Sequence, residues 1–138
     1  MIENGDLILN YLERLGVKYV FGVPGGSIEP FYNALARRQR QGGIRAVTAR
    51  HEAGAAFMAD GYTRETGRIG VCCSTAGPGA TNLITGVASA YADGIPMLVI
   101  TAQTSIEKFG RGSFQDSSCT GINTAEMFTH CTRFNTLV

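Results

Sequence analysis

The feature that most constrains this chain is a repeated alternation of short apolar runs with helical patterns, separated by glycine- or proline-bearing turns. Leu7, Ile8, Tyr11, Leu12 and Leu15 recur at helical spacing within residues 3–15, predicting an amphipathic first helix that Gly16 can cap. Residues 19–23 form a short apolar run stopped by Pro24-Gly25-Gly26. Ser27 is then placed to cap a helix ending near Arg37-Arg38-Gln39-Arg40, where cations favour the helix dipole. Residues 44–48 predict a second strand, 52–66 a helix that Gly67 can end, and 69–73 a third strand. Leu83, Ile84, Val87, Ala88 and Tyr91 mark a further helix closed by Asp93-Gly94, and Pro96 precedes a fourth strand over 97–100. Apolar strands alternating with helices imply a parallel sheet covered on both faces. Right-handed crossovers then restrict the fold to a doubly wound α/β sheet sandwiched by helices.

Residues 103–121 are dense in Gly, Ser, Thr and Asp and have no period, which predicts a long loop of the kind that is functional or disordered. Asn123-Thr124-Ala125-Glu126 has the pattern of a capping box opening a short helix, and residues 134–138 end the chain in a strand-like segment. A length of 138 residues predicts one domain over 1–138, large enough to bury a core, with no internal repeat. The hydrophobic share of 44% and charged share of 17% describe a globular chain. A net charge of +1 without a basic stripe excludes a nucleic-acid surface. No apolar run is long enough to span a bilayer, and acidic residues stand at the N-terminus where a signal peptide is basic, so no membrane partner and a cytoplasmic location are expected. The cysteines at 72, 73, 119 and 131 lack C-x-x-C spacing, and no metal-ligand set is expected in this chain. Adjacent Cys72 and Cys73 on a strand point to opposite faces as buried thiols.

In a parallel α/β sheet, ligands gather at the carboxyl ends of the strands, where three motifs of this chain fall. Pro24-Gly25-Gly26 follows the first strand, Glu52 the second, and Gly77-Pro78-Gly79 the third. Glycines there permit positive backbone torsions or close approach of a ligand, and equally serve ordinary tight turns. Glu52 in a first helical turn complements the dipole whatever else it does. His51 is adjacent to it and so does not share its helix face, leaving a minor packing or interface role, and His130 reads as a surface residue. A nucleotide or phosphate module is disfavoured, because neither G-x-G-x-x-G after the first strand nor G-x-x-x-x-G-K-[ST] occurs.

As an ordered set, Phe21-Gly22-Val23-Pro24-Gly25-Gly26, the stretch from His51-Glu52 to Tyr62-Thr63-Arg64, and Ala76-Gly77-Pro78-Gly79-Ala80-Thr81-Asn82 resemble the pyrimidine-binding domain of thiamine diphosphate (ThDP) enzymes, in the acetolactate synthase-like branch. The resemblance runs from about residue 4 to the last. It implies that Glu52 shares a proton with the pyrimidine nitrogen N1′ and favours the imino tautomer that serves as the cofactor's own base. Ala53, Gly54, Ala55 and Ala56 supply low-polarity surroundings that strengthen such a bond. It also implies that Pro24, Gly25, Thr75, Pro78 and Asn82 border the cofactor. Phe114-Gln115-Asp116 resembles the Phe-Gln-Glu of acetolactate synthases, which makes Gln115 a second catalytic candidate near thiazolium and substrate. Asp116 departs from that pattern by one methylene, and a flexible polar loop with an anchoring Phe114 is the alternative.

The implied activity is decarboxylation of a 2-oxo acid with transfer of the acyl unit to an acceptor. Simple decarboxylation, or a non-catalytic ligand-binding or interaction domain, is the alternative. The Gly-Asp-Gly motif that holds the diphosphate through Mg2+ is absent here, as is the family's FAD-type domain. The expected partners are therefore a diphosphate-binding domain, of the same protein or of another subunit, and a second copy in a homo-oligomer. FAD remains an expectation for the full-length protein. The family's further helix and strand are expected beyond residue 138, and this chain alone is expected to bind ThDP weakly without turnover.

Overall fold

The computed structural model describes residues 3–138; Met1 and Ile2, included in the one-domain expectation, lie outside the described residues. In chain order the elements are α1 (Asn4–Arg14), β1 (Tyr19–Gly22), a 3-10 turn (Gly26–Ile28), α2 (Glu29–Arg40), β2 (Arg45–Thr48), α3 (Glu52–Thr66), β3 (Gly70–Ser74), α4 (Pro78–Ala92), β4 (Met97–Thr101), a second 3-10 turn (Ile106–Lys108) and α5 (Thr124–Phe128).

Neighbouring side chains on a strand face opposite ways, and two such pairs organise the interior. Val20 of β1 and Cys73 of β3 pack with Leu9 and Leu12 of α1 and Phe31 and Leu35 of α2. Phe21 and Cys72 point the other way, into Ala55, Ala56 and Ala59 of α3 and Leu83 and Val87 of α4. The four strands are all parallel, in the order β2-β1-β3-β4, with Val20 opposite both Ala46 and Val71. From β1 the chain crosses to β2 by α2 on one face, then returns past β1 to β3 by α3 on the other. The winding direction therefore reverses between β1 and β3, and the connections leaving their carboxyl ends diverge to opposite faces. This is the doubly wound α/β sandwich expected, and the crevice it must contain lies between the ends of β1 and β3.

The helix stops fall on the anticipated glycines. Gly16, Gly67 and Gly94 have φ of 78°, 68° and 67°, the left-handed torsion at which an α-helix ends cheaply in glycine. Other expectations fail for local reasons. In α1 the buried residues are Leu9 and Leu12, whereas Leu7, Tyr11 and Leu15 are exposed. Two apolar stripes interleave on this helix, and Gly5 selects between them by letting α2 close in, where a Cβ on it would stand 3.1 Å from the Ala34 Cβ. Arg37 holds the same rotation through Glu3 (2.6 Å) and Asp6 (2.7 Å), and Arg38 through Asn10 (2.6 Å) and Glu13 (3.4 Å). The basic cluster thus clamps α2 onto α1 as well as ending its own helix.

Ser27 does not cap α2. It lies inside the 3-10 turn closed by the Ile28 N–H on the Gly25 carbonyl at 3.1 Å, and the helix starts at Glu29 with Pro30 in its first turn. Asn123 does cap α5, accepting from the Glu126 N–H at 3.4 Å. Its own N–H goes to the Ser118 carbonyl at 3.0 Å, so only half of a capping box forms. Residues 134–138 form no strand: no neighbouring strand pairs with them among the described residues, and Phe134 is 80% exposed.

Candidate functional site

Glu52 is the first residue of α3. The preceding His51 is extended and accepts the Ala53 N–H on Nδ1 at 3.1 Å, which commits its ring to capping the helix, a role that the sequence did not reveal. Across from it, the Asn82 side-chain amide, one turn into α4, donates to Glu52 Oε2 at 3.0 Å. The two meet because of what stands one turn later on each helix. A Cβ on Gly86 would lie 2.5 Å from the Ala56 Cβ and 3.1 Å from the Phe57 nitrogen, so only glycine permits so close an approach of α3 and α4. Residues four positions earlier share those faces, which brings Glu52 and Asn82 together.

Thr75, just after β3, is the wedge between the other motifs. A Cβ on Gly25 would be 2.6 Å from the Thr75 Cβ, and one on Gly79 would be 2.8 Å from Thr75 Cγ2 and 3.5 Å from Glu52 Oε1. Gly25 has extended torsions (φ −170°, ψ 167°), so space and not backbone freedom demands glycine there. Gly77 is different, with φ 65° and ψ −125°. Pro24 is exposed at the start of the β1 connection, and Pro78 is exposed as the first residue of α4. The structure thus joins Gly25, Thr75, Gly79, Glu52 and Asn82 into one continuous surface at the crevice, with Pro24 and Pro78 on its rim.

Gln115, on the long loop, faces a cleft that meets this surface at Thr75. The cleft, of about 490 Å3, is also lined by Gly26, Ser27, Gln103 and Lys108. Phe114 does not anchor the loop, being 86% exposed. Asp116 turns back on its own loop, accepting the Ser118 N–H at 2.9 Å and the Gly110 N–H at 3.4 Å. Hydrogen bonding from Ser118, ahead of Gly110, holds its carboxyl below the usual carboxylate range. The shorter acid is suited to this bond two residues on, a common loop device. Sequence reasoning missed Gly86, Gln103 and Ser117. Gly86 sits in a run of small helical residues that betrays no contact, and the two loop residues act across long sequence separations.

The two thiols of β3 are withdrawn from the chemistry. Burial pushes the Cys72 thiol up strongly and the Cys73 thiol up to about 11, the latter partly offset by its hydrogen bond to Tyr32 at 3.6 Å, so neither offers a thiolate at neutral pH. Among the described residues no group of three or more His, Cys, Asp or Glu is arranged to hold a metal ion, and no helix is long and apolar enough to cross a membrane. What the crevice can do is present one half-buried carboxylate, steadied by an amide, beside Gly79.

The family model described as thiamine pyrophosphate enzyme, N-terminal TPP binding domain, matches residues 2–124. The chain belongs to that family. Among curated proteins, this TPP-binding domain is 48% identical over 115 residues to an acetolactate synthase of Arthrospira platensis, covering 83% of the chain and 20% of that protein. It is 46% identical over 137 residues to the acetolactate synthase isozyme 2 large subunit of Escherichia coli, covering 99% of the chain and 23% of the relative. A probable acetolactate synthase large subunit of Methanocaldococcus jannaschii is 43% identical over 121 residues, or 88% of the chain and 20% of that protein. The TPP-binding domain therefore spans about a fifth of the length of the curated relatives it matches.

Proposed function

We propose that residues 1–138 are the pyrimidine-binding half of a ThDP-dependent enzyme that decarboxylates a 2-oxo acid and transfers the acyl unit, as the names of the relatives suggest. The observation that carries this reading is the Asn82 to Glu52 hydrogen bond at 3.0 Å, placed at the winding reversal with the second carboxylate oxygen bordering Gly79. When bound, ThDP supplies a nucleophilic carbon able to cleave the bond beside a 2-oxo acid carbonyl. The residues present suit its aminopyrimidine. Asn82 occupies Glu52 Oε2, which leaves Oε1 on the side bordering Gly79 free to hold a proton against a ring nitrogen. The glycines at 25 and 79 let Thr75 pack closely between the two motifs, which sets the wall that a flat ring would lie against. Gln115, across the cleft, is assigned to the substrate side.

The diphosphate and its Mg2+ are assigned to a second domain, of the same protein or of a partner subunit, in a cytoplasmic homo-oligomer. FAD is assigned to the full-length protein's remaining part. The test is Glu52→Gln in the protein as its gene encodes it. ThDP binding measured by calorimetry should persist, while pyruvate turnover falls by roughly 10²- to 10⁴-fold, the range for loss of a general acid-base group. Near-normal turnover in that variant removes the assignment. Acetolactate as product supports acyl transfer, and acetaldehyde supports simple decarboxylation.

A further inference from the structure

We infer that Ser117 is a positioning residue: it latches the loop carrying Gln115 onto the Gly77 turn, so that the two move as one wall of the cleft. The inference rests on the proposed role of Gln115. Ser117 is 1% exposed, and every polar group it owns is engaged. Its hydroxyl accepts the Gly77 N–H at 2.6 Å, across 40 positions of sequence, and donates to the Gln115 carbonyl at 3.1 Å. Its N–H goes to Gln103 Oε1 at 3.2 Å and its carbonyl accepts the Thr124 N–H at 3.0 Å. A hydroxyl has one proton to give and lone pairs to receive, so a single serine joins both backbones at once.

The two backbones it joins are both left-handed. Gly77 has φ 65° and Gln115 has φ 56°, the latter unusual for a residue with a side chain. They stand back to back, for a Cβ on Gly77 would lie 2.8 Å from the Gln115 Cβ. Such a torsion persists only where surrounding contacts enforce it, and it tends to occur where a side chain must be aimed. Removing the hydroxyl leaves the Gly77 N–H without its acceptor and lets Gln115 relax towards ordinary backbone, away from the cleft it lines with Thr75.

The experiment compares Ser117→Ala, Gln115→Ala and the double variant in the protein as its gene encodes it, with hydrogen exchange of the Gly77 amide in the cofactor-free protein as a second readout. Ser117→Ala should speed that exchange by about tenfold and raise the KM for pyruvate by about tenfold, the scale of one buried hydrogen bond. ThDP affinity should stay within about twofold, because no hydrogen bond to Glu52 or Asn82 changes. On the Gln115→Ala background the serine substitution should add nothing to KM, because it acts through that side chain. An equal cost with and without Gln115, or unchanged Gly77 exchange, overturns the inference. If Gln115→Ala itself leaves KM unaltered, the assignment of Gln115 fails instead, and the exchange readout still decides whether the latch exists. Should Ser117→Ala not fold, Gln103→Ala releases the Ser117 N–H and must loosen the same amide.

Discussion

A glutamate at the first position of a helix satisfies the dipole whatever its other task, and Glu52 is distinguished from that role by its partner. The Asn82 amide fixes one carboxylate oxygen and leaves the other beside Gly79. Similar reasoning separates the cysteines. Cys72, Cys73 and Cys131 are buried with thiols held in the neutral form, while Cys119 is exposed. Iodoacetamide at neutral pH should therefore label Cys119 in this chain within the time that leaves the other three unmodified, as peptide mass spectrometry would show. Early modification of Cys73 would mean that β3 opens far more readily than its packing implies. The pattern of neighbouring thiols on opposite faces was legible from the strand period alone, but the Tyr32 bond to Cys73 was not, since Tyr32 lies 41 positions away.

At the scale of elements, the contact between α3 and α4 sets the geometry of the site. Gly86 and Gly61 are both helical glycines, yet their surroundings differ: a Cβ on Gly86 meets the Ala56 Cβ at 2.5 Å, and one on Gly61 meets nothing within 4 Å. Gly86→Ala should lower stability by about 1–3 kcal/mol through overpacking. Gly61→Ala should raise it by about 0.5–1 kcal/mol by removing backbone freedom from the unfolded chain. Thermal or denaturant unfolding of the two variants provides the check, and equal effects of one sign would contradict the close helix approach. Under the proposed function, Gly86→Ala should also disturb ThDP binding, because parting the helices parts Glu52 from Asn82. In α1 the apolar period was visible, but which of its interleaved stripes is buried depended on Gly5 and on the arginines of α2.

For the whole molecule, reversal of the winding between β1 and β3 places a crevice between the ends of those strands. Several large apolar side chains are exposed, among them Phe57 of α3 and Tyr91 of α4. Under the proposed function, the isolated 138-residue chain should turn over no pyruvate and bind ThDP weakly. Adding the purified diphosphate-binding part should restore both, as calorimetry and a turnover assay would read. Turnover by the isolated chain would show that the diphosphate site is held here after all.

The sequence by itself determined the α/β class, the parallel sheet, the helix stops at glycine and the family, because periodicity, capping and short motifs are local properties that survive without knowledge of neighbours. It also placed Pro24-Gly25-Gly26, Glu52 and Gly77-Pro78-Gly79 at carboxyl ends of strands, since that follows from element order. Only the tertiary structure decided which oxygen of Glu52 meets Asn82, why residues 25, 79 and 86 must be glycine, and that Ser117 ties the loop to the turn. Each of those depends on groups distant in the chain coming within a few ångströms, and side-chain packing, not local preference, chooses among the arrangements that the same pattern allows.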